Sequence, residues 1–431
     1  MKQSPRIPGY DIARFLAVFG FVAVDMVGQV VWSDEGGGFG ERPEGPTALY
    51  WLWQGWWGRA SAMLAVLAGT GLALMFKEGL APDAASRKKR AVLKRCLFLF
   101  VVGHLWNSST LWSWSILHYY TFFLAIGLLF TRVRPRMLAL SAFLFVTIAA
   151  VDNMAFAERD DWSPPEATSE AAIESADGEP VESTEKQAEL SVDAAAEGAE
   201  GDGADVSASE EDAEEDNDWE GSFGDPKIWE AEFWSLRHHI STTLFDGMYP
   251  LFPWMAFLLV GMWVVRVGLD EVRRRRQILA ASLATVALSF GAWWAARHFG
   301  MGELAERLTD IDRSACMPLY FLSSAGQAVA LLCLSMSVTS MWPKARWIAP
   351  LVATGQMTFT IYIIRIFIGG GDREGLFDWI GFATGASNTV LVDGWIRVAV
   401  FMILAIWGCH YWVKRFERGP LEKAMRRFSG R

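Results

Sequence analysis

Cysteine and histidine are scarce in this chain, at 4 and 6 of 431 residues. Cys96, Cys316, Cys333 and Cys409 lie in or at the ends of apolar stretches, and their spacing matches no disulfide or metal-ligand pattern. That excludes a thiolate metal centre and a disulfide scaffold, and leaves thiols that pack as small hydrophobes. No cleavable leader is expected either. The first apolar stretch has no small-residue cleavage site, is too long for a leader core and carries charges. The second half does not repeat the first in inverted form, which argues against a repeat-built secondary transporter. Nothing in the sequence points to nucleic acid, a bound metal, a flavin or any tightly bound cofactor.

What is abundant is apolar. Hydrophobic residues make up 52% of the chain, mean hydropathy is +0.20, and there are 22 tryptophans, a residue favoured at membrane–water interfaces. Apolar runs long enough to cross a bilayer recur at 10–31, 49–76, 96–113, 115–131, 137–156, 247–267, 277–298, 315–341, 348–369 and 390–413. The expected fold is an all-α, polytopic transmembrane bundle of about ten helices.

The formal charge of −10 conceals two parts of opposite sign. Residues 157–220 carry 24 acidic side chains against only Arg159 and Lys186, a net −22 that leaves +12 for the rest. That stretch is poor in large hydrophobes and is expected to be a disordered, solvated spacer. The predicted organisation is helices one to five over 1–156, an acidic extracytoplasmic insert over 157–228, helices six to ten over 229–413, and a basic cytoplasmic tail over 414–431. Basic loops at 77–95, 132–136, 266–276 and 342–346 alternate with acidic or neutral ones. By the positive-inside rule both termini are cytoplasmic, in a bacterial inner membrane.

Asp11, Arg14, Asp25 and Gln29 fall within roughly 60° of one another around the first helix. Ionisable groups at membrane depth usually face a bundle interior or a polar cavity, so this stripe marks either a polar pocket or an ion-pair network. The orientation puts Asp11 and Arg14 near the cytoplasm and Asp25 about 21 Å further out. It gives Arg59, His118, Asp246, Tyr249 and Arg365 a depth similar to that of Asp25, and sequence alone does not say whether they converge laterally. If they do, they make an outward-facing pocket with acids, bases and an imidazole, a setting for general acid–base chemistry. Each has a structural alternative. Arg59 and Arg365 can snorkel to head groups, His118 can be a satisfied interface histidine, and His104 can bridge two helices. The small residues from Gly58 to Gly71 suggest close helix packing.

The segment from Arg6 through Asp11 and Arg14 to Gly20 resembles the opening R-I-x-x-x-D-x-x-R motif of bacterial transmembrane acyltransferases. The run from Gly58-Arg59-Ala60-Ser61 to Gly69 is similar to a second-helix signature of the heparan-alpha-glucosaminide N-acetyltransferase-like branch. Ile116-Leu117-His118-Tyr119-Tyr120, Tyr249-Pro250 with Gly261-Met262, and Gly355 to Tyr362 follow in the order of that branch. The tail Phe416 to Glu422 resembles the closing motif of the YeiB-type domain-of-unknown-function family. The resemblance runs from about residue 6 to 428 and is interrupted by the acidic insert. It implies a bundle of about ten helices and transfer of an acyl group from cytoplasmic acyl-coenzyme A to a hydroxyl or amine on the far side. It also implies histidines where Asp25 and Arg365 stand here. An ion pair between those two is one compensation for the loss, and His118 is the leading substitute base.

The expected reaction is therefore acyl transfer, with acyl-coenzyme A as co-substrate and an extracytoplasmic glycan or lipid as acceptor. Its phosphates would dock near Asp11, Arg14, Arg87, Lys88, Lys89 and Arg90, charges that the positive-inside rule explains equally well without a ligand. His118, with Asp25 or Asp246, would take the acceptor proton, and Arg59 or Arg365 would stabilise developing negative charge. Two rivals use the same residues differently: a transporter or lipid-handling protein, and a non-catalytic envelope protein.

Overall fold

The computed structural model describes residues 7–31, 46–76, 81–108, 116–159, 235–312, 317–369 and 391–430. Residues 160–228 of the acidic insert expected at 157–228, and Cys316, lie outside them. Among the described residues all regular structure is helical. The helices are α1 (Pro8–Val31), α2 (Thr47–Gln54), α3 (Arg59–Met75), α4 (Pro82–Ser108), α5 (Leu117–Gly127), α6 (Pro135–Arg159), α7 (Leu236–Ser241) and α8 (Leu251–Val267). The remainder are α9 (Val272–His298), α10 (Glu303–Leu308), α11 (Pro318–Met341), α12 (Ile348–Gln356), α13 (Thr358–Gly369), α14 (Leu391–Phe416) and α15 (Pro420–Phe428).

Among the described residues five helical stretches are long and apolar enough to cross a membrane: Thr47–Met75, Pro135–Ala155, Val272–His298, Pro318–Met341 and Leu391–Phe416. They sort by burial. α6, α9 and α14 expose Leu140, Phe143, Leu144, Leu283, Leu288, Ile403, Leu404 and Trp407. An apolar surface of this extent suits a lipid environment and marks a membrane protein. α3, α8 and α11 are mostly buried and meet around Met63, Trp254, Phe257 and Tyr320. α1 packs on α3, α11, α12 and α14, so the helix that carries the polar stripe is central.

Backbone contact between α3 and α8 is close because glycines face each other's helix. A Cβ on Gly69 would overlap the Leu258 carbonyl, and one on Gly261 would overlap the Val66 carbonyl. With no hydrophobic effect between helices in lipid, such approach supplies the packing that holds them together.

Two of the apolar runs are interrupted rather than continuous. The first breaks at 55–58, where Gly58 adopts the left-handed region at φ 67°, which favours glycine. The freed carbonyls are taken up from within the protein. Arg59 donates to Gln54 at 3.1 Å and to Ile311 at 3.2 Å, and Gln327 donates to Gly55 at 3.0 Å. The second breaks at Met357, between α12 and α13. There the Glu422 carboxylate accepts the backbone N–H groups of Phe359 at 2.8 Å and Thr360 at 3.1 Å, and the Thr360 hydroxyl at 2.5 Å. Gly419 makes room, because a Cβ there would strike that carboxylate. The tail helix α15 is thereby fastened to α13, with Phe428 against Phe98 of α4 at 5.7 Å.

Removing this cap should loosen the tail. Glu422→Ala is expected to lose charge-assisted hydrogen bonds worth roughly 1.5–3 kcal/mol each and to lower the thermal midpoint in detergent. It should also expose the α14–α15 junction to limited proteolysis, whereas Lys423→Ala on the same helix should change neither.

Candidate functional site

The four polar positions of α1 resolve into two separate arrangements. At the start of the helix Arg14 donates to Asp11 at 2.9 Å, and Gln356 of α12 donates to the other Asp11 oxygen at 3.3 Å. α12 reaches α1 closely because a Cβ on Gly355 would overlap the Asp11 carbonyl. Asp11 is buried and Arg14 is partly exposed. Further along, Asp25 forms an ion pair with Arg365 of α13. The Gln29 side chain lies outside the described residues.

Arg365 is among the largest fully buried side chains. Its guanidinium carbon sits 4.4 Å from the centre of the Phe21 ring and 4.7 Å from that of Tyr362. The spacing explains this. Phe21 precedes Asp25 by four residues on α1, and Tyr362 precedes Arg365 by three on α13, so each aromatic shares a face with a charge. A cation held over two aromatic faces and against a carboxylate keeps much of the stabilisation it loses with water.

Tyr362 joins this pair to a second cluster. Its hydroxyl accepts the N–H of Ile116 at 3.4 Å, immediately before α5. α5 and α4 approach closely, since a Cβ on Gly103 would come within 2.7 Å of the His118 nitrogen. His104 on α4 therefore meets His118 on α5 edge to face, with ring centres 5.3 Å apart. His239 on α7 approaches His104 at 5.9 Å. On the other side, Tyr119 lies 5.8 Å from Tyr249, whose hydroxyl accepts a hydrogen bond from Ser61 of α3 at 3.4 Å. The Tyr120 hydroxyl is buried with no hydrogen-bond partner among the described residues.

The result is a polar spine that runs from Asp25 and buried Arg365 through Tyr362 to buried His118, half-buried His104 and His239, and two tyrosine hydroxyls. His118 is only 5% exposed. An imidazole in such surroundings can accept a proton from a hydroxyl or amine brought against it. The three imidazoles do not form a metal-holding group. His104 meets α5 through its ring contact with His118. His239 carries no sequence signal that pairs it with His104, because it belongs to a helix of 6 residues too short to show a period.

The other expected site residues are placed differently. Arg59 is buried, spends its donors on backbone carbonyls and lies over Phe290 at 5.6 Å. It fastens the broken helix. The Asp246 side chain lies outside the described residues, although its backbone closes the π-helical turn Thr242–Asp246 after α7. Arg87, Lys89 and Arg90 are exposed on the first turns of α4, and Lys88 donates to the Met75 carbonyl at the end of α3 at 2.7 Å. Cys96, Cys333 and Cys409 are buried free thiols.

Residues 264–431 match a family described as "Protein of unknown function (DUF418)". This supports the YeiB-type resemblance seen in the closing motif. The matched region runs from the end of α8 through α15 and includes Arg365 and Glu422, while the three imidazoles lie before it. Neither the curated proteins nor the solved structures contain a match to the chain.

Asp25 and Arg365 should behave as one unit. Removing one partner of a buried pair costs about 3–5 kcal/mol, so Asp25→Asn and Arg365→Gln should each lower the thermal midpoint sharply. The double variant should lose much less than the sum of the two, and strictly additive losses in this cycle would show that the pair is not coupled.

Proposed function

We propose that the chain is a membrane acyltransferase that moves an acyl group from cytoplasmic acyl-coenzyme A to a hydroxyl or amine acceptor on the far side. The observation that carries this reading is the convergence of half-buried His104 and His239 on the buried, tyrosine-flanked His118. In this proposal the helices make ten crossings of a bacterial cytoplasmic membrane, with both termini inside. Arg14 and the exposed bases of α4 lie at the cytoplasmic end and suit the phosphates of coenzyme A.

His118 is the candidate base. It takes the acceptor's proton as the acceptor oxygen or nitrogen attacks the thioester carbon. The carbon–sulfur bond then breaks, the proton passes to the departing thiolate, and an ester or amide remains. Asp25 is committed to Arg365, so it does not compete for that proton. The ion pair instead gives the site a fixed polar wall. This is how the chain would work without histidines at those two positions.

Release of free thiol from acetyl-coenzyme A in the presence of a mixed glycan and lipid acceptor pool tests this. His118→Ala is expected to lower the rate by about 10²–10⁴-fold, with no loss of the acetyl-coenzyme A-induced rise in thermal midpoint. Arg14→Ala should abolish that rise. Absence of both thiol release and any midpoint shift up to millimolar ligand would overturn the proposal and favour transport or a non-catalytic role.

A further inference from the structure

A groove of about 740 Å³ opens on the outside of the bundle, between α8, α9 and α11. Its volume is within the range of small-molecule sites, roughly 300–1,000 Å³. Its walls are apolar, with Trp263 and Val267 on α8, Ile278 on α9, and Phe321 and Ala325 on α11. One end is basic, where Arg273 and Arg274 line it together with Glu271. The Arg274 guanidinium is engaged by Glu271 at 3.0 Å and by the Val267 carbonyl at 2.8 Å. Arg273 is exposed, so the mouth keeps a net positive charge.

We propose that this groove holds one anionic phospholipid of the adjacent leaflet, with its phosphate at Arg273 and an acyl chain along Trp263, Ile278 and Phe321. Three observations select this occupant. The groove lies on α9, the most lipid-exposed of the long apolar helices, so a bilayer lipid reaches it sideways without entering the bundle. On α9 the lining runs from Arg273 to Thr285. At 1.5 Å per residue that is about 18 Å, close to half of a ~30 Å hydrocarbon core, and so to the depth of one acyl chain. The charge sits at one end only, as a head group and tail require, and basic pockets between helices bind anionic head groups. The buried Arg275 behind the mouth is held by Ser337 at 3.2 Å and Ser340 at 3.1 Å of α11, which fixes α9 against α11 and keeps the groove's far wall in place.

The test uses the full chain, purified in dodecyl maltoside and stripped of lipid, with its thermal midpoint followed as dioleoylphosphatidylglycerol or dioleoylphosphatidylcholine is added. A ligand that binds the folded state raises the midpoint in a concentration-dependent way. Phosphatidylglycerol is expected to act at a concentration at least fivefold lower than phosphatidylcholine. Arg273→Gln should remove that preference, and Ala281→Trp, which fills the groove from its exposed wall, should abolish the response to both lipids. Equal responses to the two lipids in the unaltered chain would overturn the proposal. So would a phosphatidylglycerol response that survives both substitutions. If a variant fails to fold, native mass spectrometry of the unaltered chain decides. Preferential retention of one phosphatidylglycerol supports the site, and equal retention of the two lipids refutes it. None of these readouts involves coenzyme A, so this result and that for acyl transfer stand apart.

Discussion

A guanidinium that cannot reach water must be satisfied by its own protein, and in this bundle that demand falls on Arg365. The side chain is too deep in the structure to snorkel, so α1 has to present a carboxylate at the matching height. Asp25 does so, and Phe21 and Tyr362 complete the enclosure. Meeting this demand fixes the rotation of both helices about their axes, because a turn of either by one residue would carry the charge away from its partner. Once α13 is fixed, Tyr362 is fixed with it, and its hydroxyl in turn sets the position of the chain at Ile116. The orientation of His118 thus depends, through two short links, on the ion pair.

The same rule explains the interrupted helices. In hydrocarbon a helix is continuous or its freed backbone groups find partners inside the protein. At 55–58 the partners are a buried arginine and a glutamine. At Met357 the partner is a carboxylate delivered from the far end of the sequence, and a negative charge at a helix N-terminus is also favoured by the helix dipole. The closing Gly419-Pro420-Leu421-Glu422 motif therefore has a mechanical meaning. Glycine admits the carboxylate, proline starts α15, and glutamate caps α13.

Much of this was legible in the sequence, for physical reasons that differ by element. Among the described residues hydropathy located the five long apolar stretches to within about five residues, because burial in lipid demands a run of apolar side chains whatever the packing, but it missed that α4 begins at Pro82, inside the stretch expected as the basic loop 77–95. Helical periodicity put Asp25 with the other charges on one face of α1, and the family resemblance offered an ion pair with Arg365 as one compensation for the histidines it implies at those positions. The breaks were not legible, since Gly55–Gly58 and Met357 interrupt the hydrogen-bond ladder without changing hydropathy. Nor was the role of Arg59. Only the three-dimensional path of the chain brings the Ile311 carbonyl to it. His239 was invisible for the same reason, as lateral neighbours across helices are set by contacts such as Gly103 on the His118 backbone, which leave no periodic trace.

The division of labour between the two polar clusters has a chemical consequence. In a low-dielectric interior a lone buried charge is costly, and an opposite charge held against it offsets part of that cost. Pairing Asp25 with Arg365 makes that end of the spine formally neutral. The stripe on α1 is thus not one continuous path of charge. It is two self-neutralised pairs, Asp11 with Arg14 and Asp25 with Arg365, set about 21 Å apart along one helix. A permeant ion crossing by this route would meet no uncompensated charge to replace its hydration.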